Sequence, residues 1–143
     1  MKEILAATDG SESAARAVGY AAFLSKKFDA RLVLLNIAQT VPDGVFQRLL
    51  PEQEIWLREA QAAHAAEVLR AARDIAMAEG ASNVMLETRT GDVVQAIISF
   101  ARERDIGLVV VGRRGIGRLQ GLLIGSVSQE LVSLLPCPVV VVP

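Results

Sequence analysis

Short, nearly continuous apolar runs alternate along the chain with longer stretches in which apolar positions recur every three or four residues. The first run, Ile4-Leu5-Ala6-Ala7-Thr8, reads as a buried strand and ends at Asp9-Gly10-Ser11, a turn cluster of helix-start residues. Ala14, Ala17, Val18, Ala21, Leu24, Ser25 and Phe28 follow at helical spacing, with small contacts that let a helix lie close on a sheet. Arg31-Leu32-Val33-Leu34-Leu35-Asn36-Ile37 is a second strand. Ala38 to Pro51 has no period and carries Pro42, Asp43, Gly44 and Pro51. It predicts a loop with a turn of helix around Phe46 to Leu50. Glu52 to Glu79 is an alanine-rich run of strong helix formers, with Trp56, Ala60, Ala63, Val68, Leu69, Ala72, Ile75 and Ala76 as its inner face.

Gly80 ends that helix. Val84 to Thr90 sets Val84, Leu86 and Thr88 against Met85, Glu87 and Arg89, the alternation of an edge strand with one wet side. Asp92 then serves as N-cap for a helix whose buried stripe is Val94, Ile97, Ile98 and Ala101. A strand from Gly107 to Val111, a glycine-rich loop, a helix from Ser126 to Leu135 and a strand from Val139 to Val142 complete the chain. The order β-α-β-α-β-α-β-α-β predicts an α/β fold: one open parallel sheet with helices on both faces and right-handed crossovers. No internal repeat, low-complexity segment or linker interrupts it, so residues 1–143 are expected to form a single domain. Ligands of such sheets bind outside the carboxyl ends of the strands, where the strand order reverses. Asp9 and Gly112 both stand at carboxyl ends.

The loop after the fourth strand carries the candidate chemistry. Gly112, Gly115, Gly117, Gly121 and Gly125 free the backbone for close approach, and Arg113, Arg114 and Arg118 add positive charge. Twelve residues separate Gly112 from Gly125, long for a compact α/β unit, and long loops are often functional. Ser126 and Gln129 have capping-box spacing, which predicts a helix beginning with Ser126 as its cap. Bare amides at a helix N-terminus attract anions, phosphate above all. Better-known phosphate loops do not fit. No G-x-x-x-x-G-K-[ST] string occurs, and Gln120 stands where a G-x-G-x-x-G pattern starting at Gly115 needs its last glycine.

Composition narrows the picture. The chain has 143 residues, 52% hydrophobic and 22% charged, with a net charge of -1, so no global field draws it to nucleic acid or to an anionic membrane. Its one cysteine, Cys137, excludes an intrachain disulfide and favours a reducing compartment. The start lacks the pattern of a signal peptide, and the apolar stretch Leu131 to Pro143 is too short to span a bilayer. A cytoplasmic protein is expected. His64 has no second His or Cys at ligand spacing, and no nucleophile-base pair stands out.

Gly112, Gly115, Gly125 and Ser126 complete the pattern G-x2-G-x9-G-[ST], by which the chain resembles the universal stress protein family along essentially its whole length. Ala7-Thr8-Asp9-Gly10-Ser11 looks like that family's first strand and acidic turn, and Cys137-Pro138-Val139-Val140-Val141-Val142 like its last strand. The resemblance implies strand order 3-2-1-4-5, the adenine nucleotide alpha hydrolase-like arrangement, with ATP between strands 1 and 4. It implies that Asp9 lies near the ribose or a phosphate-linked Mg or Mn ion. Ala7 and Thr8 would border the nucleoside, Ile37 would touch adenine, and Val111 and Gly112 would floor the pocket. Gly115, Gly125, Ser126 and Val127 would hold phosphates, with Ser128 nearby. Arg113 and Arg114 join them on charge alone. It also implies a homodimer through Val139–Val142, which suits an apolar edge strand. Three functions follow as alternatives: a nucleotide-binding regulatory protein of the stress response with little or no turnover; a nucleotide-free dimeric interaction module; or an ATP-cleaving enzyme. The last would be a slow ATPase, because the loop Ser-Gly-Gly-x-Asp-Ser of adenylating ligases is not matched by Asp9-Gly10-Ser11.

Overall fold

A computed structural model describes residues 1–114 and 124–143. Its order is β1 (Glu3–Ala7), α1 (Glu12–Phe28), β2 (Arg31–Ala38), α2 (Asp43–Phe46), α3 (Pro51–Ala78), β3 (Val84–Thr90), α4 (Val93–Glu103), β4 (Leu108–Gly112), α5 (Ser126–Leu134) and β5 (Val139–Val142). The five strands form one sheet in the order β3-β2-β1-β4-β5, and every neighbouring pair is parallel. Ile4 to Ala6 pair with Leu32 to Leu34 on one side and with Leu108 to Val110 on the other. The central strands are buried on both faces, which is why their sequences read as unbroken apolar runs.

Alternate residues of these strands feed two cores. Ile4, Ala6, Leu32, Leu34, Leu108 and Val110 pack under α1 and the second half of α3 through Ala17, Val18, Ala21, Leu69, Ala72 and Ala76. Leu5, Val33, Leu35, Val109 and Val111 pack under α4 and α5 through Val94, Ile97, Ile98, Phe100 and Leu131. Strand order reverses between β1 and β4. Each of these two strands hands the chain to a helix on the opposite face, so their carboxyl ends open between the first turns of α1 and α5. At the far end of the sheet, Glu3 accepts from Arg31 and from both Nε and Nη2 of Arg104, tying β1 to β2 and to the end of α4.

The expected elements are present, with three differences. The helical turn of the loop after β2 lies at Asp43–Phe46, earlier than Phe46 to Leu50. The first half of α3 lies outside the core: Trp56 is 68% exposed, and Ala60 and Ala63 are exposed as well. Burial starts at Ala65, because α3 outruns the sheet and α1 beneath it. The wet side of β3 carries Leu86 and Thr88 instead of its charges. Glu87 and Arg89 are half-buried as an ion pair at 3.0 Å, with the Arg89 guanidinium 4.9 Å from the Phe100 ring centre. Arg89 also covers the Thr88 carbonyl at 3.0 Å. β3 is an edge strand, as the alternation predicts. At the other edge all four valines of β5 are half-exposed. Among the described residues no helix is long and apolar enough to cross a membrane.

Candidate functional site

The exit of β1 is held by short local bonds. Thr8 is buried. Its N–H donates to Leu35 O at 2.9 Å, and its carbonyl accepts from Asn36 Nδ2 at 2.9 Å. Asp9 Oδ1 accepts from the Ser11 N–H at 2.9 Å, and Gly10 makes the turn at φ 82°. Ser11, not Asp9, caps α1: its Oγ accepts from the Ala14 N–H at 3.2 Å. The Asp9 carboxylate is therefore kept at the strand end without being the helix cap. Asn36 was not among the expected site residues. The signal for it was a polar side chain inside an apolar run, a placement that a buried strand tolerates only with a partner.

The exit of β4 is held from both sides of the sheet. Gly112 lies so close to α1 that a Cβ there would stand 2.5 Å from Ser13 Oγ, 2.7 Å from Ser13 C and 2.9 Å from Ala14 N. The Gly112 carbonyl accepts from buried Ser128 Oγ at 2.7 Å. The Arg113 N–H donates to Val142 O at 2.6 Å and the Arg114 N–H to Ser13 Oγ at 3.3 Å. The Gly125 N–H donates to Arg113 O at 2.7 Å, which joins the start of α5 to the exit of β4. Gly115, Gly117, Arg118 and Gly121 lie outside the described residues.

Helix α5 begins one residue away from its expected cap. Gly125 is the N-cap, with φ -69°, and its carbonyl accepts from the Gln129 N–H at 3.1 Å; Ser126 is the first helical residue and is exposed. The capping box of Ser126 is thus overturned. Glycine at the cap needs no positive φ here. What it supplies is clearance, since a Cβ would come within 3.1 Å of Arg113 O. Its amide is spent on that carbonyl, which takes it off the set of phosphate donors. The N–H groups of Ser126, Val127 and Ser128 have no acceptor among the described residues, as expected for the first turn of a helix. Arg113 Nε is buried and likewise has no acceptor.

These donors stand beside an apolar floor. Ala7, Ile37 and Val127 pack half-buried against the core cluster that contains Val111, so three residues expected on the nucleoside side, Ala7, Ile37 and Val111, join the same cluster as Val127, which was expected at the phosphates. A cleft of about 450 Å³ opens next to it, lined by Gln39, Thr40, Asp92, Ser126, Val127 and Glu130 among others. Gln39 and Thr40 are not expected at the site from the sequence, and Asp92 is expected only as a helix cap. They arrive from the loop after β2 and from the α4 cap, whose contribution no local motif announces. A smaller cleft of about 270 Å³, between β3 and α4, is lined by Arg89, Gln95, Ser99 and Glu103 among others, away from β4. Among the described residues no three His, Cys, Asp or Glu side chains are grouped to hold a metal ion. His64 is exposed on α3, and burial pushes the Cys137 thiol pKa up.

Comparison with known proteins gives one answer. The model of the universal stress protein family matches residues 1–143. Universal stress protein YxiE of Bacillus subtilis is 31% identical over 147 residues, covering 98% of this chain and 97% of that one. The solved structure of universal stress protein UspA from Lactobacillus plantarum superposes with a TM-score of 0.83 at 25% identity, covering 99% and 97% of the two chains. A universal stress protein solved in complex with cAMP superposes with a TM-score of 0.74 at 27% identity, covering 99% and 95%.

Proposed function

The chain belongs to the universal stress protein family, and from that premise we propose that it binds an adenine nucleotide, ATP, where β1 and β4 end, and acts as a nucleotide-dependent regulatory protein of the stress response with little or no turnover. The observation that carries this reading is a group of donors without acceptors among the described residues. The amides of Ser126, Val127 and Ser128 open the first turn of α5, which the Gly125–Arg113 bond fixes at the exit of β4, and Arg113 Nε is buried there. A buried guanidinium nitrogen is rarely left unpaired and first-turn helix amides are open to an anion, so one phosphate would satisfy both. The apolar patch of Ala7, Ile37, Val111 and Val127 suits a nucleoside, and the cleft beside it has room for one. Thr8, Gly112, Arg114 and Gly115 complete the proposed lining. Asp9 would meet the ribose, or a Mg or Mn ion carried in on the triphosphate; among the described residues no ligating cluster competes for such an ion.

The low turnover rests on the absence of a nucleophile-base pair at the strand ends among the described residues, since His64 stands on exposed α3. The half-exposed valines of β5 support a homodimer through Val139–Val142. They also support the second reading, an interaction module whose pocket stays empty. We place the protein in the cytoplasm, without a nucleic-acid or membrane partner, from its near-neutral charge and single thiol.

The test is to denature the purified protein, resolve the released small molecules by ion exchange, and titrate the emptied chain with ATP, ADP and AMP. Adenine nucleotide near one per chain, or saturable ATP binding, supports the first reading. No released nucleotide and no binding leaves the interaction module. Phosphate release from bound ATP at catalytic rates would make it an ATPase.

A further inference from the structure

Two buried serines, one from each face of the sheet, grip the exit of β4. Ser128, in the first turn of α5, holds the Gly112 carbonyl. Ser13, in the first turn of α1, does something different. It is 5% exposed, and its hydroxyl accepts from the Arg114 N–H at 3.3 Å and donates to Val142 O at 3.4 Å. That carbonyl also takes the Arg113 N–H at 2.6 Å. One hydroxyl therefore joins α1, the end of β5 and the second residue after β4. The bond to Arg114 ties the main chain to α1 at the point where it leaves the sheet, next to Arg113, whose amide is held by Val142 O. Both Ser13 bonds are longer than the usual range, so the hydroxyl tunes the exit of β4 and does not lock it.

We infer that Ser13 is a positioning residue of the anion site: without touching the ligand, it orients the two arginines at the exit of β4 toward the phosphates. The inference rests on the nucleotide reading above and adds a residue to it. Ser13 packs on Gly112 from α1, on the face of the sheet opposite to the apolar patch beneath α4 and α5, so its hydroxyl should matter to phosphates and not to the nucleoside.

The experiment titrates ATP and adenosine, by calorimetry, against the wild type, Ser13→Ala and Ser13→Thr. The expected result is ATP affinity weakened about 3- to 10-fold in Ser13→Ala, the worth of one hydrogen bond. Adenosine affinity should be unchanged, and Ser13→Thr, which restores the hydroxyl, should recover ATP binding. Equal weakening toward both ligands, or no weakening toward either, overturns the positioning role while the nucleotide reading stands. A wild type that binds neither ligand overturns the nucleotide reading and this inference with it.

Discussion

Replacing Gly112 by alanine should destabilise the fold through contact alone. The new Cβ would stand 2.7 Å from Ser13 C and 2.9 Å from Ala14 N, where ordinary contact begins at 3.4 Å. These are main-chain atoms in the first turn of α1, so no rotamer change relieves them. The helix end must withdraw by roughly 0.5–0.7 Å, an overpacking of the kind that costs about 1–3 kcal/mol. Losing a glycine returns about 0.4–1 kcal/mol by restricting the unfolded chain. An overlap this deep on main-chain atoms belongs in the upper part of that overpacking cost, about 2–3 kcal/mol, so the net is about 1–2.6 kcal/mol, which at this chain length lowers the melting temperature by about 3–10 °C. Gly44→Ala is the control, because nothing lies within 4 Å of a Cβ there and the site is exposed in α2. It should be neutral or slightly stabilising. Thermal unfolding followed by circular dichroism reads both variants. If Gly112→Ala melts together with the wild type, the close approach of α1 to β4 is not the constraint described.

Two further substitutions test the revised start of α5. Ser128→Ala should cost about 1–2 kcal/mol, because the Gly112 carbonyl loses its hydroxyl donor. Ser126→Ala should change stability by less than about 0.5 kcal/mol, since Gly125 caps the helix and Ser126 is exposed. Denaturant midpoints of the pair decide the point, and the reverse order would restore Ser126 as the cap. At the far end of the sheet, hydrogen bonding from Arg104 holds the Glu3 carboxyl below its ordinary pKa, and the charges of Arg104 and Arg31 add to this against burial. The unfolded chain then takes up the proton more readily. The stabilisation is present at neutral pH and is lost as the pH falls through the lowered folded-state pKa. Melting temperature against pH should show Glu3→Gln below the wild type at neutral pH and converging with it in acid.

The sheet was legible because its inner strands are buried on both faces. Leu32 to Leu35 and Leu108 to Val111 read as unbroken apolar runs, and alternation marked Val84 to Thr90 as an edge. Ser11 and Asp92 were legible as turn and cap residues because capping is local chemistry. The first half of α3 misled, because helical spacing continues through Trp56, Ala60 and Ala63 after the surface they could pack on has ended. The Ser126 capping box misled by one residue, since a glycine cap leaves no side-chain signature. Ser13 was invisible because its hydroxyl works on partners 101 and 129 residues away.

The two margins of the sheet differ in a way that limits growth. Along β3 the Arg89 side chain sits over a backbone carbonyl and is paired with Glu87, while β5 offers four valines and nothing to turn a neighbour away. Copies that meet valine to valine use up their bare margins and present only guarded ones to the solution. If copies pair through β5 as proposed, the assembly should close at two, because the margin left to the solution is the one that carries the Arg89–Glu87 pair.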